Sequence, residues 1–176
     1  MKKRVACLLM SGLFFTVMQS SFAAGAGHSG RQFDGDWVRQ YSCDDYHMSA
    51  DDVKRCKEDG TADSFGLYSL TQEGDRICGL HVATADLTRR VDDAESVSVY
   101  GAVKGGVAKV RFKSARSDDD DDFGEATLKR VGDTLIWTKI KALKGEDLFP
   151  DRAVLSRAAG NDPYEPIHCG DVAGTQ

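Results

Sequence analysis

After residue 18 no stretch of this sequence stays apolar for long enough to cross a bilayer, which excludes a spanning helix from most of the chain. Histidines are scattered and no two cysteines stand at C-x-x-C spacing, so the usual framework of a zinc site is missing. Neither G-x-S-x-G nor H-E-x-x-H occurs, and no Cys–His pair lies in a recognisable catalytic setting. Carboxylates are plentiful, but no two are set apart as a glycosidase pair. Basic charge is in deficit, with 23 Lys and Arg against 28 Asp and Glu and a net charge of −5. These absences argue against an enzyme, and no catalytic residue, metal ligand or cofactor is assigned. The acidic balance also makes nucleic acid or an anionic membrane a poor partner.

What the chain does have begins at its start. Lys2, Lys3 and Arg4 precede an apolar run from Val5 to Met18, followed by Gln19-Ser20-Ser21-Phe22-Ala23. A basic segment, a short apolar segment and small residues at the right offsets read as a secretory signal, residues 1–23, with cleavage after Ala23 or, as a second site, after Ala26. The rival reading, a membrane anchor, suffers from the shortness of the run and its interruption by Ser11 and Gly12. Cys7 lies inside the run after Arg4-Val5-Ala6, which is not a lipidation box. Removing residues 1–23 from 176 leaves 153, one domain's worth, and moves the net charge from −5 to −8. The expected location is the periplasm or the medium.

The exported part keeps four cysteines: Cys43, Cys56, Cys78 and Cys169. An even count in an exported chain implies two disulfides, with three possible connectivities. Cys43–Cys56 and Cys78–Cys169 is the favoured pairing: the first closes a local loop, the second ties the C-terminal tail to a strand. Between the first two cysteines, Ser49 is a candidate N-cap, Asp51 and Asp52 suit a first turn, and Lys54, Arg55 and Lys57 precede Gly60. This predicts one short helix over about Ala50 to Lys57, inside an insertion spanning about 43–60.

The rest alternates with period two. Val97, Val99, Gly101 and Val103 share one face, and Ala108, Val110 and Phe112 share another, on either side of Gly105-Gly106. A two-residue loop there sets Val103 opposite Ala108, Gly101 opposite Val110 and Val99 opposite Phe112; a slip of one residue would set apolar against basic side chains. A second hairpin turns at Gly132-Asp133, pairing Leu128 with Trp137 if the loop has two residues and with Ile136 if it has three. A third turns at Gly74-Asp75, where a two-residue loop groups Leu67, Ser69 and Thr71 with Val82, Leu80 and Cys78, and sends His81 to the other face. Thr84 to Glu95 and Ser114 to Gly124 read as loops, Lys141 to Pro150 as a turn region, and 159–176 as a tail pinned by Cys169, behind a flexible leader over 24–32.

Eight short strands follow, near 36–41, 66–72, 76–83, 96–103, 107–114, 125–131, 134–140 and 152–157. The fold class is mainly β: an antiparallel up-and-down meander over 33–158 closing into a barrel, with a β-sandwich as the alternative. The expected inward set is Trp37, Leu67, Leu80, Val82, Val97, Val99, Val103, Val110, Phe112, Leu128 and Trp137, with Gly101 and Ala108 as small members. Gly35-Asp36-Trp37 on the first strand, followed by a meander, resembles the G-x-W signature of lipocalin and related calycin barrels. The resemblance implies an up-and-down barrel with a ligand mouth. The family's T-D-Y-type turn is absent, and its late arginine falls between Arg152 and Arg157 without a choice between them.

One surface feature is unusual: Asp118, Asp119, Asp120, Asp121 and Asp122 in succession. A solvated loop and a docking site for a basic protein are the main readings. An EF-hand frame fails, because starting at Asp118 places Phe123 at position six and starting at Asp119 places Arg130 at twelve. The expectation for function is an exported, non-enzymatic protein-binding module. It would act as an inhibitor or immunity-type protein on a basic cell-envelope hydrolase or toxin, with the five aspartates meeting the partner. The alternative is a lipocalin-like carrier of a small apolar ligand, with Trp37, Tyr100, Phe112 and Trp137 lining the cavity.

Overall fold

The computed structural model describes residues 31–45, 49–60, 62–119, 121–159 and 165–171. The segment expected to be a secretory signal, most of the expected leader and Asp120 lie outside these residues. The strands are β1 (Gly35–Gln40), β2 (Ser64–Glu73), β3 (Arg76–Ala85), β4 (Arg90–Asp93), β5 (Val99–Lys104), β6 (Val107–Phe112), β7 (Gly124–Val131), β8 (Thr134–Lys141) and β9 (Arg152–Arg157). All pair antiparallel in the order β2-β1-β9-β8-β7-β6-β5-β3-β4, and β2 also pairs with β3. That last pairing closes an eight-stranded barrel, with β4 attached outside the ring. Closure removes the exposed edges that an open meander would carry.

The β5–β6 hairpin has the register its sequence predicts: Lys104 faces Val107, Val103 faces Ala108, Gly101 faces Val110 and Val99 faces Phe112. Gly105 and Gly106 both take positive φ, at 59° and 79°, as a type I′ turn requires. The β7–β8 connection is the two-residue one, with Leu128 opposite Trp137 and Val131 opposite Thr134. The helix α1 runs Ala50–Asp59. It is capped by the Ser49 hydroxyl, which accepts from Asp52 N, and ends at Gly60 in the left-handed region. Both expected disulfides form: Cys43–Cys56, with Cα atoms 5.7 Å apart, and Cys78–Cys169, with Cα atoms 5.4 Å apart. Bridges of this kind persist in oxidising surroundings.

The β2–β3 hairpin differs from its predicted facing. The expected pairing holds near the turn, from Glu73–Arg76 to Thr71–Cys78, and then shifts between Tyr68 and Thr71. Ser69, at φ 49°, is the extra residue of a bulge, and its N–H donates to Asp36 Oδ1 at 2.7 Å. One inserted residue reverses the alternation beyond it. Leu67 therefore pairs with His81 rather than Val82. His81 is fully buried, while Leu80 and Val82, expected inside, lie on the outer side and are only partly covered. Val97 precedes β5 rather than belonging to it and is half-buried.

The predicted loop from Thr84 to Glu95 holds β4, whose four residues pair with the far half of β3, from Val82 to Ala85. β5 takes the near half, from Arg76 to Gly79. The turn before β4 places Asp86, Leu87 and Thr88 in succession at φ 57°, 56° and 62°. Asp63, itself buried, holds this left-handed turn by accepting Thr88 N at 2.8 Å.

The barrel interior is filled by side chains. Trp37, Leu67, Val99, Ala108, Phe112, Leu128, Leu135, Trp137 and Leu155 are each 0% exposed. Small residues serve close approach here. A Cβ on Gly124 would meet the Phe112 ring at 2.1 Å, and one on Gly101 would meet the Lys109 carbonyl oxygen across the hairpin at 2.0 Å. Gly101→Ala should therefore lower stability by about 1–3 kcal/mol, read as a lower urea midpoint. A midpoint equal to the parent's would contradict this close packing of β5 on β6.

Candidate functional site

The hairpins at residues 74–75, 105–106 and 132–133 share one end of the barrel with the segment entering β1. The Trp37 indole donates to Phe33 O at 2.8 Å there, and the Arg157 guanidinium lies over its ring at 4.0 Å. Arg130 reaches the same ring at 5.7 Å and donates to Gln32 O at 2.9 Å. The other end, the mouth, gathers four connections: the insertion with α1, the β3–β5 connection, the β6–β7 loop with the aspartates, and the β8–β9 loop.

The mouth is occupied by the β8–β9 loop. Phe149 enters it and packs among Phe65, His81, Phe112 and Trp137, at centroid distances between 4.3 and 5.9 Å. Lys139, at the inward end of β8, holds this loop. Its ammonium meets Asp147 Oδ2 at 2.9 Å and donates to Phe149 O at 2.7 Å. Of the cavity candidates, Phe112 and Trp137 are brought together at 5.2 Å beneath Phe149. Trp37 belongs to the opposite end, and Tyr100 stands on the outer side of β5, opposite Arg111.

The aspartate run separates into two kinds of residue. Asp118, Asp119 and Asp121 are exposed. Asp122, expected to face a partner, turns inward and is 3% exposed. Its carboxylate accepts from Lys144 N at 2.8 Å and Gly145 N at 3.2 Å, which joins the β6–β7 loop to the β8–β9 loop. The hydrogen bond from Lys144 N, with that from Gly145 N and the nearby Lys144 and Lys141 charges, holds the Asp122 carboxyl below its ordinary pKa. The physical reason for the departure is local. A carboxylate beside two unpaired backbone N–H groups satisfies them better than water does when they are enclosed.

Two further carboxylates fix the loop, and neither carries a sequence signal. Glu146 accepts from Arg90 and, at 2.8 Å, from Arg116 Nε, while Arg116 also donates to Val91 O at 3.1 Å. The Arg90 hydrogen bond, aided by the Arg116 charge, lowers the pKa of Glu146. Asp92 on β4 is fully buried and accepts from Ala115 N at 2.8 Å. Burial alone would raise its pKa, but His81, the Ser114 hydroxyl and Ala115 N favour the anion more, so the net shift is downward. His81 Nε2 stands 3.1 Å from Asp92 Oδ1 without the alignment of a hydrogen bond, and His81 Nδ1 lies 2.7 Å from Ser98 Oγ. A Ser–His–Asp string acts on a substrate only where its serine is reached. Ser98 is 5% exposed, and Phe149 lies against the imidazole at 4.4 Å, so the string here joins β3, β4 and the residue that precedes β5.

Between the two loops lies a cleft of about 410 Å³, lined by Ser114, Arg116, Asp118, Asp119, Lys144 and Glu146 among others. Its charges are mixed, and Lys144 Nζ stands 3.8 Å from Asp119 Oδ2. Among the described residues, no group of three or more His, Cys, Asp or Glu has the arrangement of a metal site. No family model, curated protein or solved structure matches this chain.

The pH behaviour of the loop follows from its three carboxylates. A group whose folded pKa is depressed stabilises fully above the range where it titrates unfolded, about pH 4, and loses that effect as pH falls through its lower folded value. Stability to urea should therefore decline below about pH 4. Asp122→Ala should lower stability at neutral pH and flatten that decline. An Asp122→Ala profile that superimposes on the parent's would rule out the clamp.

Proposed function

We propose that this domain is an exported binding module that receives a cationic protein partner on its aspartate loop, as an inhibitor or immunity-type protein does with a basic cell-envelope hydrolase or toxin. The observation that carries the reading is the pinning of the loop. Asp92 holds its base, Arg116 and Glu146 hold its near arm, and Asp122 holds its far arm. Asp118, Asp119 and Asp121 are exposed between these anchored arms, and anchoring the ends of a loop lowers the ordering cost of binding. Fixed like charges at a rim raise association rates with an opposite surface and make them salt-sensitive. The barrel serves as the rigid base for that loop.

The sequence pattern suggests replacing all five aspartates, but the placement of Asp122 makes that a test of folding rather than binding. The variant Asp118→Asn, Asp119→Asn, Asp121→Asn leaves the clamp in place. Against a lysozyme-type hydrolase as the basic partner, association should slow by about tenfold at low salt, with a shallower dependence on ionic strength. Stopped-flow association rates unchanged in that variant would reject the electrostatic role of the loop.

A second reading has its own observation. Arg157, one of the two candidates for the late arginine that the resemblance implies, lies over the Trp37 ring and also donates to Asp34 O. That packing supports a lipocalin-like barrel, in which lifting the Phe149 loop would expose an aromatic floor to a small apolar ligand. Titration with fatty acids should then give a saturable change in Trp137 fluorescence. A flat titration would count against a carrier.

A further inference from the structure

Charge on the outer wall of the barrel is unevenly shared. Most of the described basic side chains, from Arg31 to Lys144, stand within ion-pair distance of a carboxylate. The wall formed by β5, β6 and β7 departs from this pattern. Alternation turns Lys109 and Arg111 outward while Ala108, Val110 and Phe112 fill the core. Lys104 at the end of β5 and Lys129 on β7 both pair with Val107, so they flank β6 at its first residue. At the mouth end, Lys141 pairs with Glu125, which itself pairs with Arg111.

All five cations are exposed. Glu125 is the one acidic residue of β5, β6 and β7. Among the described residues none of the five has a carboxylate at ion-pair distance; Arg111 and Lys141 instead lie over the Phe123 ring at 4.4 and 4.9 Å.

Outward residues of one strand recur about every 7 Å, and neighbouring strands lie about 5 Å apart. The cations therefore form a band that follows the strands from the hairpin end toward the mouth. We propose that this band binds a linear polyanion, a polymer bearing phosphate or sulfate groups, laid along β6. Shape separates this occupant from a flat anionic bilayer. A barrel wall is convex around its axis, so a bilayer touches it along one narrow line. Proteins that lie on membranes also offer apolar side chains for insertion. Here the exposed large apolar side chains are single residues at opposite ends of the band, Val131 and Ile140, and its aromatic ring is covered by Arg111 and Lys141. The net acidity of the chain does not oppose such binding, because salt screens charges beyond about 8–10 Å. This revises the expectation drawn from net charge alone: the sum is acidic, but the distribution is not uniform.

The inference concerns a different surface from the aspartate loop and does not rest on it. The test uses the mature protein and a fluorescent heparin oligosaccharide as the probe, followed by anisotropy over a series of salt concentrations. Saturable binding is expected, with log affinity falling linearly against log salt. Lys109→Gln, Arg111→Gln, Lys129→Gln should weaken binding at least about tenfold and reduce the salt slope by about one for each cation removed. Lys109→Arg, Lys129→Arg, which keeps the charge, should bind as the parent does. Asp118→Asn, Asp119→Asn, Asp121→Asn should bind as well as the parent or better, which separates this surface from the loop. Two results would each overturn the proposal: equal binding by the glutamine variant, with its circular dichroism and thermal midpoint unchanged, or capture by phosphatidylglycerol vesicles with no binding of the oligosaccharide.

Discussion

The barrel is held shut by a narrow seam. β1 meets β9 over two residue pairs, Trp37 with Arg157 and Val38 with Ser156, extended by the hydrogen bond from Ala158 N to Asp36 O. The neighbouring β1–β2 and β8–β9 ladders each have five. So short a ladder leaves side chains to complete the joint. Arg157 does this by lying across Trp37 while donating to Asp34 O, and a cation over an indole contributes about 0.5–2 kcal/mol. Without the seam, β1 and β9 become free edges and the buried tryptophan at 37 loses its cover. The four connections at the mouth would also lose their common base.

How much of this could be read from residues differs by element. The β5–β6 hairpin was legible to the register because turn chemistry and alternation point the same way. The helix was legible because Ser49, Asp52 and Gly60 mark its ends. The facing of β3 was hidden by Ser69. A bulge has no reliable composition, and one extra residue inverts every facing beyond it. β4 was hidden because Arg90-Val91-Asp92-Asp93 is short and polar. Its pairing depends on β3 being long enough to serve two partners in turn, which is a property of the assembled sheet.

The loop at residues 118–122 was conspicuous in the sequence, but its division of labour was not. Which aspartate turns inward depends on where Lys144 and Gly145 arrive from a connection more than 20 residues away. Phe149 and Lys139 carried no signal either, since a single aromatic in a turn region has no periodicity to reveal its burial. The cationic wall shows the opposite failing. Lys109 and Arg111 were visible as the outward face of β6, but a whole-chain sum of charge conceals where the charges stand. Net charge describes solubility; position on the sheet describes encounter.

The second disulfide has a consequence for the order in which the molecule can be assembled. Cys78 and Cys169 are 91 residues apart, and the covalent loop they close takes in β3 from Cys78 onward and β4 through β9, leaving β1, α1 and β2 outside it. Synthesis runs from the N-terminus, so β1 is made long before its second neighbour, and Cys78 long before its sulfur partner. The ring and the crosslink therefore both wait for the final quarter of the polypeptide. A chain cut short ahead of residue 152 would have a hairpin-rich sheet whose first strand is paired with β2 alone and an unspent thiol, a species suited to mispairing and to disposal by quality control.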